Sequence, residues 1–223
     1  MPIISIGRVA VMDDKTNADQ PFAVIGKHLD VFQEIGNIGA GNAATALAAM
    51  LNRRIDMSVP AARMVPFNNV TDIVGGPENI VAGVLIGMSG DLSGFIMLVL
   101  NTRDAAHMLY LLGMASSPDV DIFSMDEMGI STLREVSNIL VGSYLTAISS
   151  LTGLTISQSV PELVIDMAGA ILSVPVIEYG KLGEEVLLLE TEFYDDDQTL
   201  DGHFFLIPDL DSYFTMLKSL GIG

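Results

Sequence analysis

The 223 residues suffice for one domain with a substantial core, or for two small units fused around a shared one. With 28 acidic residues against 10 basic ones, the net charge is −18, and such a surface repels a phosphate backbone, so nucleic acid is excluded as a ligand class. There is no cysteine, which removes disulfides and thiol catalysis and fits a reducing compartment.

In chain order, Ile3, Ile4, Ile6, Val9 and Val11 read as one weakly apolar strand, and Asp13 to Pro21 as a polar linker. Residues 1–21 are thus expected to form an extension, followed by a single domain over 22–223. No basic start precedes an apolar run, so no signal peptide is read. From about Phe22 a long helical pattern begins: Leu29, Phe32 and Ile35, then Ala43, Leu47, Met50 and Leu51, recur at helical spacing. Gly36, Gly39 and Gly41 weaken this helix unless something packs closely against them.

Ile55 to Val59 reads as a strand ending at Pro60, and Ala62 to Val74 as a second β-like stretch stopped by Gly75-Gly76-Pro77. Ile80 to Met88 and Gly94 to Leu100 form apolar strands around a Ser89-Gly90-Asp91 turn, a hairpin rather than a membrane span. A soluble, cytoplasmic protein is expected. Thr102 to Gly113 is a helix with Ala105, Met108, Leu109 and Leu112 on one face, and Ser116 to Asp121 a loop.

The pattern then recurs. Asp126 to Leu151 is a second long helix, and Thr155 to Val160 leads into Pro161. Met167 to Leu172 has the look of a short helix. Glu185 to Tyr194 and His203 to Ile207 make a second hairpin around an acidic turn, Asp195 to Gly202, and Ser212 to Leu220 is a closing helix. Glu34 and Glu135 lie 101 positions apart, as do Asn37 and Asn138, Gly41 and Gly142, Thr45 and Thr146, Ala46 and Ala147, and Pro60 and Pro161. A constant offset over these identities implies an internal duplication, with repeats over about 22–115 and 122–223. Such a period is too long for a solenoid. The expected fold is an α/β (α+β) body of pseudo-two-fold symmetry, with one shared β-sheet and two long helices against it.

Each long helix carries a polar stripe. The first reads Asp30-x-x-x-Glu34-x-x-Asn37, then twenty-two residues, then Pro60. The second reads Ser131-x-x-x-Glu135-x-x-Asn138, then twenty-two residues, then Pro161. Positions i, i+4 and i+7 share one helical face. One such Glu/Asn pair alone would be an ordinary solvated face, but two copies, each followed by Pro at the same distance, mark a docking and catalytic surface. Gly39-x-Gly41-x-x-Ala44 formally matches a dinucleotide fingerprint, but the segment before it carries helical spacing instead of a strand. His28, His107 and His203 are scattered without metal-ligand spacing. Asp195-Asp196-Asp197 lacks the spaced ligands of a calcium loop.

The doubled stripe with its distant proline, together with Glu34-Ile-Gly-Asn-Ile-Gly-Ala-Gly-Asn-Ala-Ala, resembles the CheC/CheX/FliY phosphatase family over roughly Leu29 to Leu220. The resemblance implies a CheC-like fold and a hydrolase that removes the phosphoryl group from the aspartyl phosphate of a CheY-like response regulator, ending a chemotaxis signal. By the family's pattern Asn37 and Asn138 orient the attacking water, and Glu34 and Glu135 bond the regulator's active-site lysine. Asp30, Ser131, Pro60 and Pro161 support the face. No cofactor is expected on this chain, Mg²⁺ being supplied by the regulator. A non-catalytic adaptor, binding the phosphorylated regulator, the receptor deamidase CheD or flagellar-switch components, is the alternative. Duplication in one chain suits a monomer.

Overall fold

The computed structural model describes residues 20–51, 54–179, 185–194 and 199–222. The strand read at Ile3 to Val11 and most of the linker that follows lie outside the described residues.

The first half contains α1 (Gln20–Lys27), α2 (Leu29–Leu51), β1 (Asp56–Pro66), the short α3 (Val70–Ile73), β2 (Ile80–Gly90), β3 (Gly94–Asn101) and α4 (Thr102–Leu111). The second contains α5 (Glu127–Thr152), β4 (Ile156–Gln158), β5 (Glu162–Met167), α6 (Ala168–Tyr179), β6 (Glu185–Tyr194), β7 (Thr199–Pro208) and α7 (Leu210–Ser219). The strands form one sheet in the order β1-β6-β7-β3-β2-β4, with β5 also paired to β2. All pairings are antiparallel. The order is a palindrome of the two repeats. Their last strands, β3 and β7, meet at the centre, with Met97 opposite Phe205 and Leu98 opposite Phe204. Each repeat lends its first strand to the other's hairpin: β1 pairs with β6, while β4 and β5 pair with β2.

Strand alternation builds two cores, one on each face of the sheet. Ile86, Leu98, Leu187, Leu189, Phe204 and Leu206 point to the side covered by α2, α4, α5 and α7. Val81, Met97, Val99, Leu188 and Phe205 point to the other side, under Val70, Val74, Ile171 and Leu172 of the α3 and α6 regions. Asp126, Asn101 and Asp209 start α5, α4 and α7 by accepting a backbone N–H with their side chains.

Five readings change in detail, and the rejection of a dinucleotide fingerprint holds. The first helical run is broken at His28, whose N–H bonds the Ile25 carbonyl at 2.9 Å while its own carbonyl accepts from Val31. Gly39-x-Gly41-x-x-Ala44 lies inside α2, so the strand-turn-helix of a dinucleotide fingerprint is not formed. β1 passes through Pro60 without stopping. The proline sits at a register shift between Ser58 and Ala61, on an edge strand, where its missing N–H removes no ladder bond. Beyond Pro66 the chain turns helical at 67–73, because Val70 and Val74 are spaced to bury together on one side. α6 runs on to Tyr179, well past Leu172. β7 begins at Thr199, four residues before His203, since Leu200 is buried and Gly202 admits the Phe193 ring across the pair.

α2 and α5 cross closely. A Cβ at Gly39 would stand 3.0 Å from the Tyr144 Cα and 2.9 Å from its ring, so only glycine lets the two backbones approach here. The Tyr144 hydroxyl lies 3.0 Å from Thr191 Oγ1 in the buried interior. Close packing thus explains Gly39, and Gly36, whose Cβ would meet Val59 at 3.1 Å; Gly41 faces nothing within 4 Å.

Candidate active site

α2 presents Asp30, Glu34 and Asn37, and α5 presents Ser131, Glu135 and Asn138. Asp30, Ser131 and both glutamates are exposed, while both asparagines are half-buried. The helical repeat therefore brings the three polar residues of each copy onto one accessible face, as their spacing predicts. Among the described residues neither glutamate takes part in an ion pair; the pairs formed are Arg54–Asp56 and Arg63–Glu190. An exposed carboxylate of this kind is available to a cation on a partner.

The surroundings of the two asparagines differ, and the difference begins in the strand each one faces. In the first copy the bulge in β1 releases the peptide groups of Val59 from the ladder, and α2 side chains satisfy them instead. Val59 N–H donates to Asn37 Oδ1 at 2.9 Å, and Asn37 Nδ2 donates to Val59 O at 3.2 Å and to Gln33 O at 3.1 Å. Gln33 Nε2 adds bonds to Val59 O at 3.2 Å and Pro60 O at 2.7 Å. Gly36 makes room for Val59, which is 1% exposed.

In the second copy the equivalent strand is interrupted. β4 stops at Gln158 and β5 starts at Glu162. Val160, the counterpart of Val59, is 81% exposed and forms no clamp with α5. Ser159 holds the gap closed by accepting Gly87 N–H on its hydroxyl at 2.9 Å and donating its own N–H to Gly87 O at 2.9 Å. Asn138 is held by Gln158, whose Nε2 donates to Asn138 Oδ1 at 2.6 Å. Pro60 lies at the β1 register shift, where its carbonyl accepts from Gln33 Nε2, and Pro161 lies in the gap between β4 and β5.

Gln33 and Gln158 are the partners that the motif does not contain. Their only trace in the sequence is a break in the repeat: at the offset of 101, Gln33 faces Arg134 and Gln158 faces Met57. Among the described residues no group of three or more His, Asp or Glu side chains is arranged to hold a metal ion, and no helix is long and apolar enough to cross a membrane.

Two segments, residues 28–63 and 128–165, match the model of the CheC-like family. They coincide with the two motif helices and the strand segments that follow them. Over 199 residues the chain is 39% identical to "CheY-P phosphatase CheC" of Bacillus subtilis (strain 168), covering 87% of this chain and 94% of that relative. The chain belongs to the CheC-like family. Among solved structures, Thermotoga maritima FliY superposes with a TM-score of 0.70 at 26% identity, over 87% of this chain and 96% of the FliY chain. The middle domain of FliM from H. pylori shares the fold at 11% identity, with a TM-score of 0.61 over 86% of this chain and 98% of FliM's. Family membership, the doubled match and the shared sheet bear out the expected duplicated CheC-like fold.

Proposed function

We propose that this protein is a phosphatase that hydrolyses the aspartyl phosphate of a CheY-like response regulator, with Glu34/Asn37 and Glu135/Asn138 as its two docking and catalytic pairs. The observation that carries the reading is the placement of an exposed glutamate and a half-buried asparagine one turn apart on the same face of both α2 and α5. Kinship with a CheY-P phosphatase of B. subtilis supports the substrate class.

Hydrolysis of an acyl phosphate needs little covalent chemistry from the protein. A water attacks phosphorus in line, the bond from phosphorus to the aspartate oxygen breaks, and the carboxylate leaves with inorganic phosphate as the other product. Holding that water in line is the catalytic task. A side-chain amide suits it, since one N–H donates to the water while the carbonyl keeps a lone pair to accept from it. The glutamate, one turn earlier on the helix, is placed to bond the regulator's lysine and so fix the approach of the asparagine. Mg²⁺, held by the regulator, neutralises charge on the phosphoryl oxygens.

The test is phosphate release from a phosphorylated CheY-like regulator with this protein present in substoichiometric amount. Release of many phosphates per protein molecule is expected. Tight binding with an unchanged phosphate lifetime would instead make the chain an adaptor. Replacing both Glu34 and Glu135 by Ala is expected to raise KM by about tenfold or more, the worth of a charge-assisted contact.

A further inference from the structure

We propose that Gln158 is a positioning residue for Asn138, and that it makes the α5 site the one through which most turnover passes. The inference rests on the phosphatase reading above.

The argument starts from which atoms can face each other. Gln158 Nε2 lies 2.6 Å from Asn138 Oδ1 and 3.5 Å from the Asn138 main-chain carbonyl. The carbonyl can only accept, so the NH₂ end of Gln158 faces Asn138, and the Asn138 side-chain atom opposite it is the acceptor Oδ1. The rotation of the Asn138 amide is thereby fixed. Its Nδ2 has no protein partner among the described residues, and Oδ1 keeps one lone pair. Both polarities needed to orient a water are present on one immobilised group.

Gln158 is itself held. It lies in β4, opposite Met88 of β2 in the ladder. Its amide packs beside Gly142, one turn beyond Asn138, where a Cβ would stand 3.4 Å from Gln158 Oε1, an ordinary contact. The side chain is therefore presented by a strand against the helix and is not free to swing. In the first copy Met57 occupies the equivalent position and has no amide to offer. Asn37 instead spends both Nδ2 hydrogens on Gln33 O and Val59 O and takes Val59 N–H on Oδ1. To orient a water, Asn37 must first give up bonds that close the β1 bulge; Asn138 gives up none.

The experiment compares Gln158→Met, Gln158→Glu and Asn138→Ala with the unaltered protein, at saturating phosphorylated regulator and across a titration. Methionine keeps the size of the side chain and, like Met57, makes no hydrogen bond. Glutamate accepts only, so it turns the Asn138 amide around and draws Nδ2 inward. Both are expected to lower kcat by about tenfold, toward the level reached by Asn138→Ala, with KM changed by less than about twofold. A kcat within about twofold of the unaltered protein in both Gln158 variants, while Asn138→Ala lowers it, overturns the role of Gln158 and leaves the catalytic reading of Asn138 standing. An unchanged kcat in Asn138→Ala removes that reading, and the role of Gln158 with it.

Discussion

Asn37 and Asn138 occupy matching positions, yet the bonds they make assign them different weight in the fold. Asn37 bonds both peptide groups of Val59 at a bulge, so Asn37→Ala leaves the buried Val59 N–H without a partner, while the Val59 carbonyl keeps Gln33 Nε2. A loss of about 1–3 kcal/mol of stability follows. Asn138 bonds one side chain and no strand peptide group, and Asn138→Ala is expected to cost less than about 1 kcal/mol. Urea unfolding of the two variants measures the difference directly. Equal shifts of midpoint would mean that the Val59 clamp contributes nothing. The effects on activity are expected in the opposite order, with the larger loss of kcat in Asn138→Ala.

The crossing of α2 and α5 sets the spacing of the two sites, and its glycines separate by what they touch. Gly39→Ala places a Cβ against the Tyr144 backbone, which cannot yield without moving α5, and about 1–3 kcal/mol of destabilisation is expected from overpacking. Gly41→Ala meets open space and is expected to stabilise by about 0.5–1 kcal/mol, since alanine loses less backbone entropy in a helix. Thermal unfolding of the pair should move in opposite directions; a drop in Tm for both would contradict the crossing geometry. The sequence revealed these helices because their periodicity is local, and revealed the duplication because Glu34, Asn37 and Pro60 recur unshifted as Glu135, Asn138 and Pro161. Pro60 misled because proline interrupts a central strand, whereas β1 lies at the sheet edge and bulges there. Gln158 stayed hidden for a different reason. Its partner Asn138 is twenty residues away, and no periodicity within a strand or a helix reports a contact between the two.

Across the whole molecule, the palindromic sheet gives one chain two copies of a face that would otherwise need two subunits. The helices of the pair meet at Gly39 and Tyr144, and the strands meet between β3 and β7. The chain carries a net charge of −18, so docking of a regulator that is itself acidic would rest on local contacts and work against long-range repulsion. With such a regulator, KM is expected to fall as salt rises from about 10 to about 150 mM and the screening length contracts from about 30 to about 8 Å. A KM that climbs over that range would place attraction between the partners instead. The central claim is that two amides, and not the charged surface around them, accelerate the loss of phosphate. It is tested most directly by the variant with both Asn37→Ala and Asn138→Ala, assayed for phosphate release at a concentration where it still binds the phosphorylated regulator. The account predicts that binding persists and the phosphate lifetime returns to that of the regulator alone. Accelerated release by that bound double variant would contradict it.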